Sequence, residues 1–412
     1  MDMGTTRGTI LPGLAGRLDG VQESAATAMA ETARKLRASG VKVISLSIGE
    51  PDFPTPPHVV EAATRAAEAG DTKYPPVAGS PALRAAVQRK FRRDNGLNYA
   101  IEEILITNGG KQAIFDALMA TCNPGDEVVI PVPAWISYQD MAKFAGATPV
   151  FVPCPQNNGF RLQAEALEAA ITPRTKWLLL NFPSNPTGAA CSRADMKAIT
   201  DVMLRHPHVW IMTDDMYEHL LYEGEFCTVA EVEPGLRDRT LTVNGASKGY
   251  AMTGWRVGFC GGPRRLIAAM ENVQGQSTNG ISTLGQAAAV AALDGPQDLL
   301  AERAAIYRVR RDLVVSMLNE APGLSCHKPE GAFYVFPSVA GCLGKVSTGG
   351  RRIDTDTDFV LALLAEQHVA TVQGAAYGMS PYVRVSYATD EVSLREACTR
   401  IQTFCRDLVA AH

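Results

Sequence analysis

Short, almost continuous apolar runs alternate with longer stretches of helical periodicity through the middle of the chain. The apolar runs predict strands: ILIT (104–107), EVVIPVP, TPVFVP, KWLLLN, VWIMTD and TLTV (240–243). Stretches such as RADMKAITDVMLR, which lie between these runs, predict helices. Strands that are apolar on both faces and alternate with helices are typical of a parallel sheet covered on both sides. We therefore predict an α/β fold with a mainly parallel sheet.

The pattern changes after Gly295. A long amphipathic stretch (296–320) leads to GAFYVFP, a further helix, YVRVSYA and a terminal helix, which together indicate a smaller α+β domain. A helix before Gly40 and the apolar run VISLSIG can join that domain from the N-terminal side. The predicted division is an arm (1–20), a large domain (52–295) and a small domain built from two segments, 21–51 and 296–412.

Composition narrows the class of protein. The chain has 412 residues, 46% of them hydrophobic, with 39 basic and 43 acidic residues and a net charge of −4. This balance predicts neither a nucleic-acid partner nor a membrane surface. The nine cysteines form no C-x-x-C pair, which argues against a disulfide framework or zinc site and favours a reducing compartment. With no secretory leader and no long apolar run, we expect a cytoplasmic protein.

Several familiar chemical motifs are excluded. Gly109-Gly110-Lys111 is followed by Gln112, where a P-loop requires serine or threonine. The sequence has no G-x-G-x-x-G at a strand-to-helix turn, no H-E-x-x-H and no G-x-S-x-G. A dinucleotide site, a metal site and a serine-hydrolase nucleophile are therefore unsupported.

Polar residues at the predicted strand ends carry the remaining chemistry. Asp214 and Tyr217 follow VWIMTD, Asn185 follows KWLLLN, and the Gly109-Gly110 pair opens a helix after ILIT. Ligands of open α/β sheets bind at this edge, and a helix N-terminus favours an anion. Each residue alone could equally be an ordinary turn or core residue, and the same holds for Trp135.

Lys248 and Arg256 raise a separate question, because they are the only charged residues in the stretch NGASKGYAMTGWRVGFCGG. Buried cations without anionic partners are costly, so a partner is expected for each. Taken together with the strand-end residues, they are the parts needed to hold a phosphorylated aromatic aldehyde.

Nine spaced motifs resemble the class I aminotransferases, and most of all the bacterial aspartate aminotransferases that depend on pyridoxal phosphate. They run in consistent order from about residue 20 to the C-terminus: GEPDFPTP, KYPPVAGSPALR, TNGGKQA, PVPAWISY, PSNPTG, TDDMYEHLLYEG, SKGYAMTGWR, GAFYVF and VRVSYA. The resemblance implies the fold type I architecture, with a seven-stranded sheet in a large cofactor-binding domain and a smaller α+β domain.

The resemblance also implies a role for each candidate residue toward the cofactor. Lys248 forms the Schiff base and then serves as general acid and base. Asp214 holds the pyridine nitrogen protonated, Tyr217 and Asn185 contact the ring oxygen, and Trp135 stacks on the ring. The phosphate is held by Gly109, Gly110, Lys111, Ser247 and Arg256. Tyr74 reaches the phosphate of a neighbouring subunit, which implies a homodimer with shared sites.

Toward the substrate, the resemblance implies that Arg384 clamps the α-carboxylate and that Gly49, Trp135 and Asn185 line the pocket. Lys111 is also a candidate for the distal carboxylate of aspartate or glutamate. The implied reaction is a ping-pong transamination, with L-aspartate or L-glutamate as donor and 2-oxoglutarate as acceptor.

The chain departs from the family pattern in two places. Relatives often carry KPSAT where this chain has QESAAT, so Gln22, Glu23 and Ala26 replace the lysine, proline and threonine. Because that threonine serves the distal carboxylate, a strict diacid preference and activity on prephenate are both in question. Gly245 stands where a serine is common, and Ser247 is expected to supply the phosphate contact instead.

Three alternatives remain at this point. The first is a transaminase with aromatic or broad donor preference, and the second is a pyridoxal-phosphate lyase on the same fold. The third is a cofactor-sensing regulator or silent binding module, which the short N-terminal region without a basic recognition helix disfavours.

Overall fold

The computed structural model describes Gly13, residues 15–18, Val21 and residues 24–410. Most of the predicted arm (1–20) lies outside the described residues, as do Gln22 and Glu23 of the QESAAT segment. No helix in the described part of the chain is both long and apolar enough to cross a membrane.

Regular structure follows the alternation expected from the sequence. The helices of the described residues are α1 (Ala25–Ala38), α2 (Pro57–Glu68), α3 (Pro81–Asn95), α4 (Gly110–Thr121), α5 (Ser137–Phe144), α6 (Ala164–Ala170), α7 (Arg193–Arg205), α8 (Val229–Val232), α9 (Arg264–Gly275), α10 (Thr283–Asp294), α11 (Asp298–Asn319), α12 (Asp356–Gln367) and α13 (Glu391–Asp407). The strands are β1 (Ile44–Ser45), β2 (Ile104–Asn108), β3 (Glu127–Val132), β4 (Thr148–Pro153), β5 (Thr175–Asn181), β6 (Trp210–Asp214), β7 (Thr240–Gly245), β8 (Val257–Gly261), β9 (Tyr334–Val335), β10 (Lys345–Val346), β11 (Arg352–Ile353), β12 (Val369–Ala370), β13 (Val372–Gln373), β14 (Val383–Ser386) and β15 (Val409–Ala410).

A seven-stranded sheet forms the centre of the molecule, in the order β2-β8-β7-β6-β5-β3-β4. All its neighbouring pairs are parallel except the two that involve β8, which runs antiparallel to β2 and to β7. The predicted α/β class and mainly parallel sheet are thus confirmed. Because β5, β6 and β7 are adjacent and parallel, their carboxyl ends meet at one edge.

Local sequence signals explain where helix α3 begins and ends. The Ser80 side chain accepts a hydrogen bond from the backbone N–H of Leu83, and Pro81 occupies the first helical position, where its missing N–H costs nothing. At the other end Gly96 adopts the left-handed conformation (φ 65°), which glycine enters without a Cβ penalty.

The N-terminal segment packs on the C-terminal part of the chain rather than on the large sheet. Strand β1 pairs in parallel with β12, and Met29 and Ala33 of α1 belong to the same buried cluster as Leu394 of α13. These contacts support the grouping of 21–51 with 296–412, which we propose as the second domain. The run VISLSIG forms only two residues of regular strand. Just after them, the Leu46 carbonyl accepts a hydrogen bond from the Ser386 N–H of another strand, β14.

Candidate active site

A cavity of about 410 Å³ opens at the carboxyl edge of the sheet, between the sheet and the segments that carry β1, β9 and β14. Most of the residues singled out from the sequence line this cavity: Gly49, Gly110, Lys111, Trp135, Asn185, Asp214, Tyr217, Ser247, Lys248, Arg256 and Arg384. Gly109 and Tyr74 do not line it. Residues that are distant in sequence therefore converge on one site.

Lys248 lies just beyond β7, and its Nζ points into the cavity. Nζ donates a hydrogen bond to the backbone carbonyl of Gly49 at 2.5 Å and lies 5.9 Å from the centre of the Tyr217 ring. Burial, together with a smaller effect of the positive charge of Arg384, lowers the pKa of the Lys248 amine to about 8. A substantial share of the amine is therefore neutral near physiological pH, which is the form that attacks a carbonyl.

Asp214, the last residue of β6, is held by two donors. The hydroxyl of Tyr138 donates to its Oδ2 at 2.7 Å, and the backbone N–H of Met216 donates to its Oδ1 at 3.3 Å. Burial raises the pKa of the Asp214 carboxyl, while both hydrogen bonds act in the opposite direction. A buried carboxylate facing a cavity is best satisfied by a cationic N–H from a ligand.

Arg256 and the start of α4 lie together on the cavity wall, in an arrangement suited to bind an anion. The Arg256 guanidinium donates to the backbone carbonyls of Thr253 (2.9 Å) and Asn108 (3.2 Å), which place it over Gly109. A Cβ on Gly109 would collide with this guanidinium, and Gly109 also has a φ of 76°. Glycine is therefore required there, so that an arginine fork and a free helix N-terminus can face the same ligand.

Ser247 lines the same cavity as Arg256, while Gly245 leaves little room for a side chain. A Cβ on Gly245 would lie 3.0 Å from the Val257 carbonyl and 3.2 Å from Gly258 Cα. The absence of the family's common serine thus has a local packing reason.

Arg384, on β14, is almost fully buried but keeps one donor free. Its Nη1 donates to Asn185 Oδ1 at 3.1 Å and its Nη2 to the Ser47 carbonyl at 2.5 Å. Its Nε has no hydrogen-bond partner among the described residues. An arginine that lines a cavity with an unsatisfied donor is suited to bind a carboxylate.

Lys111 is a second cation on the cavity wall. Its Nζ lies 4.8 Å from the centre of the Trp135 ring, and no carboxylate of the described residues comes within ion-pair distance of it. Burial lowers the pKa of the Lys111 amine, and Arg256 lowers it further. Ala26 and Thr27 both line the same cavity, so a hydroxyl is present one position after the alanine that replaces the family's threonine.

Two tyrosines in the site were missed by sequence reasoning. Tyr138 holds Asp214, and Tyr334 on β9 hydrogen-bonds the hydroxyl of Tyr217 at 2.9 Å. Both lie inside motifs already noted, PVPAWISY and GAFYVF. A tyrosine in each motif was the available signal, but nothing in the sequence paired it with its partner.

The comparison with protein families gives a match over most of the chain. The model of the family "Aminotransferase class I and II" matches residues 41–401. The aspartate/prephenate aminotransferase of Cereibacter sphaeroides is 55% identical over 389 residues, which cover 94% of this chain and 97% of that protein. The aspartate aminotransferase of Rhizobium meliloti is 54% identical over 392 residues, covering 95% and 96% of the two chains.

Solved structures agree with this result. The crystal structure of the aspartate aminotransferase from Rhizobium meliloti superposes with a TM-score of 0.93 and 53% identity, covering 96% of this chain and 100% of that one. The aspartate aminotransferase from Thermus thermophilus with maleate has a TM-score of 0.89, 41% identity and the same coverage. This chain belongs to the family of class I and II aminotransferases and is an aminotransferase of the aspartate aminotransferase type, which uses pyridoxal phosphate.

Proposed function

We propose that this enzyme moves the amino group of L-aspartate or L-glutamate to a 2-oxo acid such as 2-oxoglutarate. One observation carries the proposal: a single cavity holds the neutralisable amine of Lys248, the buried carboxyl of Asp214 and two cations, Arg384 and Lys111. The two cations provide separate partners for the two carboxylates of a diacid.

The residues present fit pyridoxal phosphate. The cavity offers an amine of lowered pKa, a carboxyl held by Tyr138, and an anion site made by Arg256, Ser247 and the start of α4. When bound, the cofactor supplies a carbonyl that exchanges with amino groups and a ring that accepts electrons from the substrate Cα.

Each residue then has a defined task on the cofactor side. Nζ of Lys248 would hold the cofactor at its carbonyl carbon and, once released, would carry the proton removed from the substrate Cα. Asp214 would accept a hydrogen bond from the ring nitrogen and keep it protonated, with Tyr138 fixing the carboxyl. Tyr217 and Asn185 would hold the ring oxygen, and the indole of Trp135 would lie against the ring.

On the substrate side, Arg384 clamps the α-carboxylate and Lys111 binds the distal carboxylate. The hydrogen bonds from Arg384 to Asn185 and to the Ser47 carbonyl support this arrangement, because they hold the guanidinium on the cavity wall and use only two of its five N–H donors. Gly49 keeps the neighbouring wall free of side-chain atoms. The dicarboxylate maleate in the related Thermus thermophilus structure is consistent with a diacid site.

Prephenate is a second candidate acceptor, since the relative from Cereibacter sphaeroides is an aspartate/prephenate aminotransferase. Ala26 removes a hydroxyl that the family offers to the distal carboxylate, while Thr27 supplies one on the same cavity wall. We propose that this wall decides between diacids and bulkier acceptors.

A homodimer in the cytoplasm completes the proposal. The Tyr74 side chain is 92% exposed although it is large and partly apolar, which suits a contact with a second subunit's phosphate site. All nine cysteines are free thiols, as a reducing compartment requires.

The half-reaction tests this function directly. Single amino acids are added to the purified holoenzyme without any oxo acid, while the visible cofactor band is recorded. We expect L-aspartate and L-glutamate to convert the band stoichiometrically to that of the amino form, and 2-oxoglutarate to restore it. Release of ammonia or a thiol with no change of cofactor form would instead identify a lyase.

Lys111→Met tests the proposed contact with the distal carboxylate, since it nearly keeps the length of the side chain and removes the charge. We expect the apparent affinity for aspartate to fall about tenfold to 100-fold, because a charge-assisted hydrogen bond is lost, with little change for a monocarboxylic donor such as L-alanine. Equal losses for both donors would refute the assignment of Lys111 to the distal carboxylate.

A further inference from the structure

Tyr334 touches both a group proposed for the cofactor, Tyr217, and the group proposed for the substrate α-carboxylate, Arg384. It lies on β9, it is fully buried, and it also lines the cavity. Its hydroxyl hydrogen-bonds Tyr217, and its ring faces the guanidinium of Arg384. Sequence motifs give it no role of its own.

The hydrogen bond between the two phenols has a preferred direction when Tyr217 serves a ligand. The oxygens of Tyr217 and Tyr334 are 2.9 Å apart, and either can donate. If Tyr217 donates its proton to an acceptor in the cavity, its oxygen needs a donor in return, and Tyr334 is placed to supply it. Such a relay strengthens and orients the donor at Tyr217.

The ring of Tyr334 acts on Arg384. The guanidinium carbon lies 4.6 Å from the centre of the Tyr334 ring and 5.1 Å from that of Tyr377, so two aromatic rings confine it. The hydrogen bonds to Asn185 and Ser47 hold the two Nη atoms, and both rings lie against the same guanidinium. The guanidinium is thereby kept in one orientation.

Gly49 packs directly against the hydroxyl of Tyr334. A Cβ built on Gly49 would collide with the Tyr334 hydroxyl, and the Gly49 carbonyl accepts the hydrogen bond from Lys248. Tyr334 thus packs against the backbone that receives the Lys248 amine, against Tyr217 and against Arg384.

We propose that Tyr334 is a positioning residue that sets the Tyr217 hydroxyl through its own hydroxyl and the Arg384 guanidinium through its ring. The two halves of the side chain therefore have separable effects, one on the cofactor and one on substrate affinity. This inference rests on the proposed roles of Tyr217 and Arg384.

Tyr334→Phe removes only the hydroxyl. We expect the pH midpoint of the holoenzyme's visible band to rise by about one unit. The hydrogen bond from Tyr217 to the ring oxygen of the cofactor favours the deprotonated chromophore, and Tyr217 becomes a weaker donor in this variant. The dissociation constant of succinate, a diacid without an amino group, should stay within about twofold, since the ring over Arg384 remains.

Tyr334→Leu removes the ring as well. We expect the same rise in the midpoint and, in addition, a weakening of succinate binding by about fivefold to tenfold through the loss of the face contact with Arg384. Tyr387→Phe is the matched control, because it deletes another buried hydroxyl of the same core, one that donates to the Ala332 carbonyl at 3.2 Å. It should change neither quantity.

The inference is wrong if Tyr334→Phe moves the midpoint no more than Tyr387→Phe does, or if Phe and Leu weaken succinate binding equally. Neither readout requires turnover, so failure of the proposed function appears separately, as a wild-type enzyme that gives no half-reaction with any amino acid.

Discussion

The two sides of the cavity are built in different ways. The sheet side consists of Gly110, Asp214 and Lys248, which lie at or just beyond the ends of regular strands or at the start of α4. The outer side consists of Gly49, Tyr334 and Arg384, which come from segments far apart in the chain. Arg384, for example, reaches the Ser47 carbonyl across 337 residues of sequence.

We propose that this difference largely separates the chemical step from substrate binding. Neighbouring parallel strands share one hydrogen-bonded framework, so the groups of the sheet side keep fixed mutual distances. The outer side depends on contacts between separate segments, which can be altered without disturbing the sheet. We expect substitutions of Lys248 and of the groups that hold Asp214 to lower kcat, and substitution of Arg384 to raise KM.

The largest effect is expected at Lys248. Lys248→Ala removes both the nucleophile and the proton carrier, and should lower the single-turnover rate with aspartate by at least about 10⁴-fold. Lys42→Ala is the control, because Lys42 is an exposed lysine paired with Glu396 on the surface. Retention of a normal half-reaction in the Lys248 variant would contradict the role of this residue.

Arg384→Lys tests the outer side. Lysine keeps the charge but loses the planar fork, so we expect KM for aspartate to rise about 100-fold with a much smaller change in kcat. Steady-state kinetics with aspartate and 2-oxoglutarate give both constants. A loss confined to kcat would contradict the assignment of Arg384 to substrate binding.

Tyr138→Phe tests the sheet side with a smaller expected effect. Loss of the hydroxyl that donates to Asp214 should reduce kcat by about tenfold and leave KM nearly unchanged, since a hydrogen bond to a charged group is removed. The pKa of the Asp214 carboxyl should rise, because the hydrogen bond that lowered it is gone. An altered KM with unchanged kcat would place Tyr138 functionally on the outer side.

Asp116→Asn should affect stability and leave activity unchanged. Asp116 is buried in α4, and neither of its carboxyl oxygens has a hydrogen-bond partner among the described residues. Burial raises the pKa of this carboxyl to about 7. Because the folded pKa exceeds the unfolded value of about 3.9, the free energy of unfolding falls as the pH rises from about 4 to about 7.

The amide in this variant cannot ionise. We therefore expect it to be more stable than the wild type by about 1 to 3 kcal/mol above pH 7 and equally stable near pH 4. Thermal midpoints at the two pH values measure the difference. A gain of equal size at both would show that charge is not the cause.

The sheet side was largely predictable from residue patterns, whereas Gly49 and Arg384 of the outer side were predicted only through the resemblance to a family and Tyr334 was missed. Apolar strands alternating with helices predicted the parallel sheet, and the shared edge of parallel strands predicted that Asp214 and Asn185 converge. Roles for Lys248, Arg256 and Arg384 came from the resemblance to a family.

The missed contacts depend on three-dimensional register. Tyr334 meets Tyr217 across 117 residues and Tyr138 meets Asp214 across 76, and no local pattern specifies either pair. The role of Tyr74 stays a prediction, since its expected partner belongs to a second subunit.

The close fit between Gly49 and the Tyr334 hydroxyl constrains the order in which the pocket can evolve. Alanine at position 49 must displace a phenol that is buried and hydrogen-bonded to Tyr217, so it is costly while Tyr334 is present. With phenylalanine at position 334, the nearest remaining ring atom is Cζ at 3.3 Å, a contact that a small shift relieves. The two substitutions are therefore epistatic, and a lineage or a directed-evolution library reaches the double variant by changing residue 334 first.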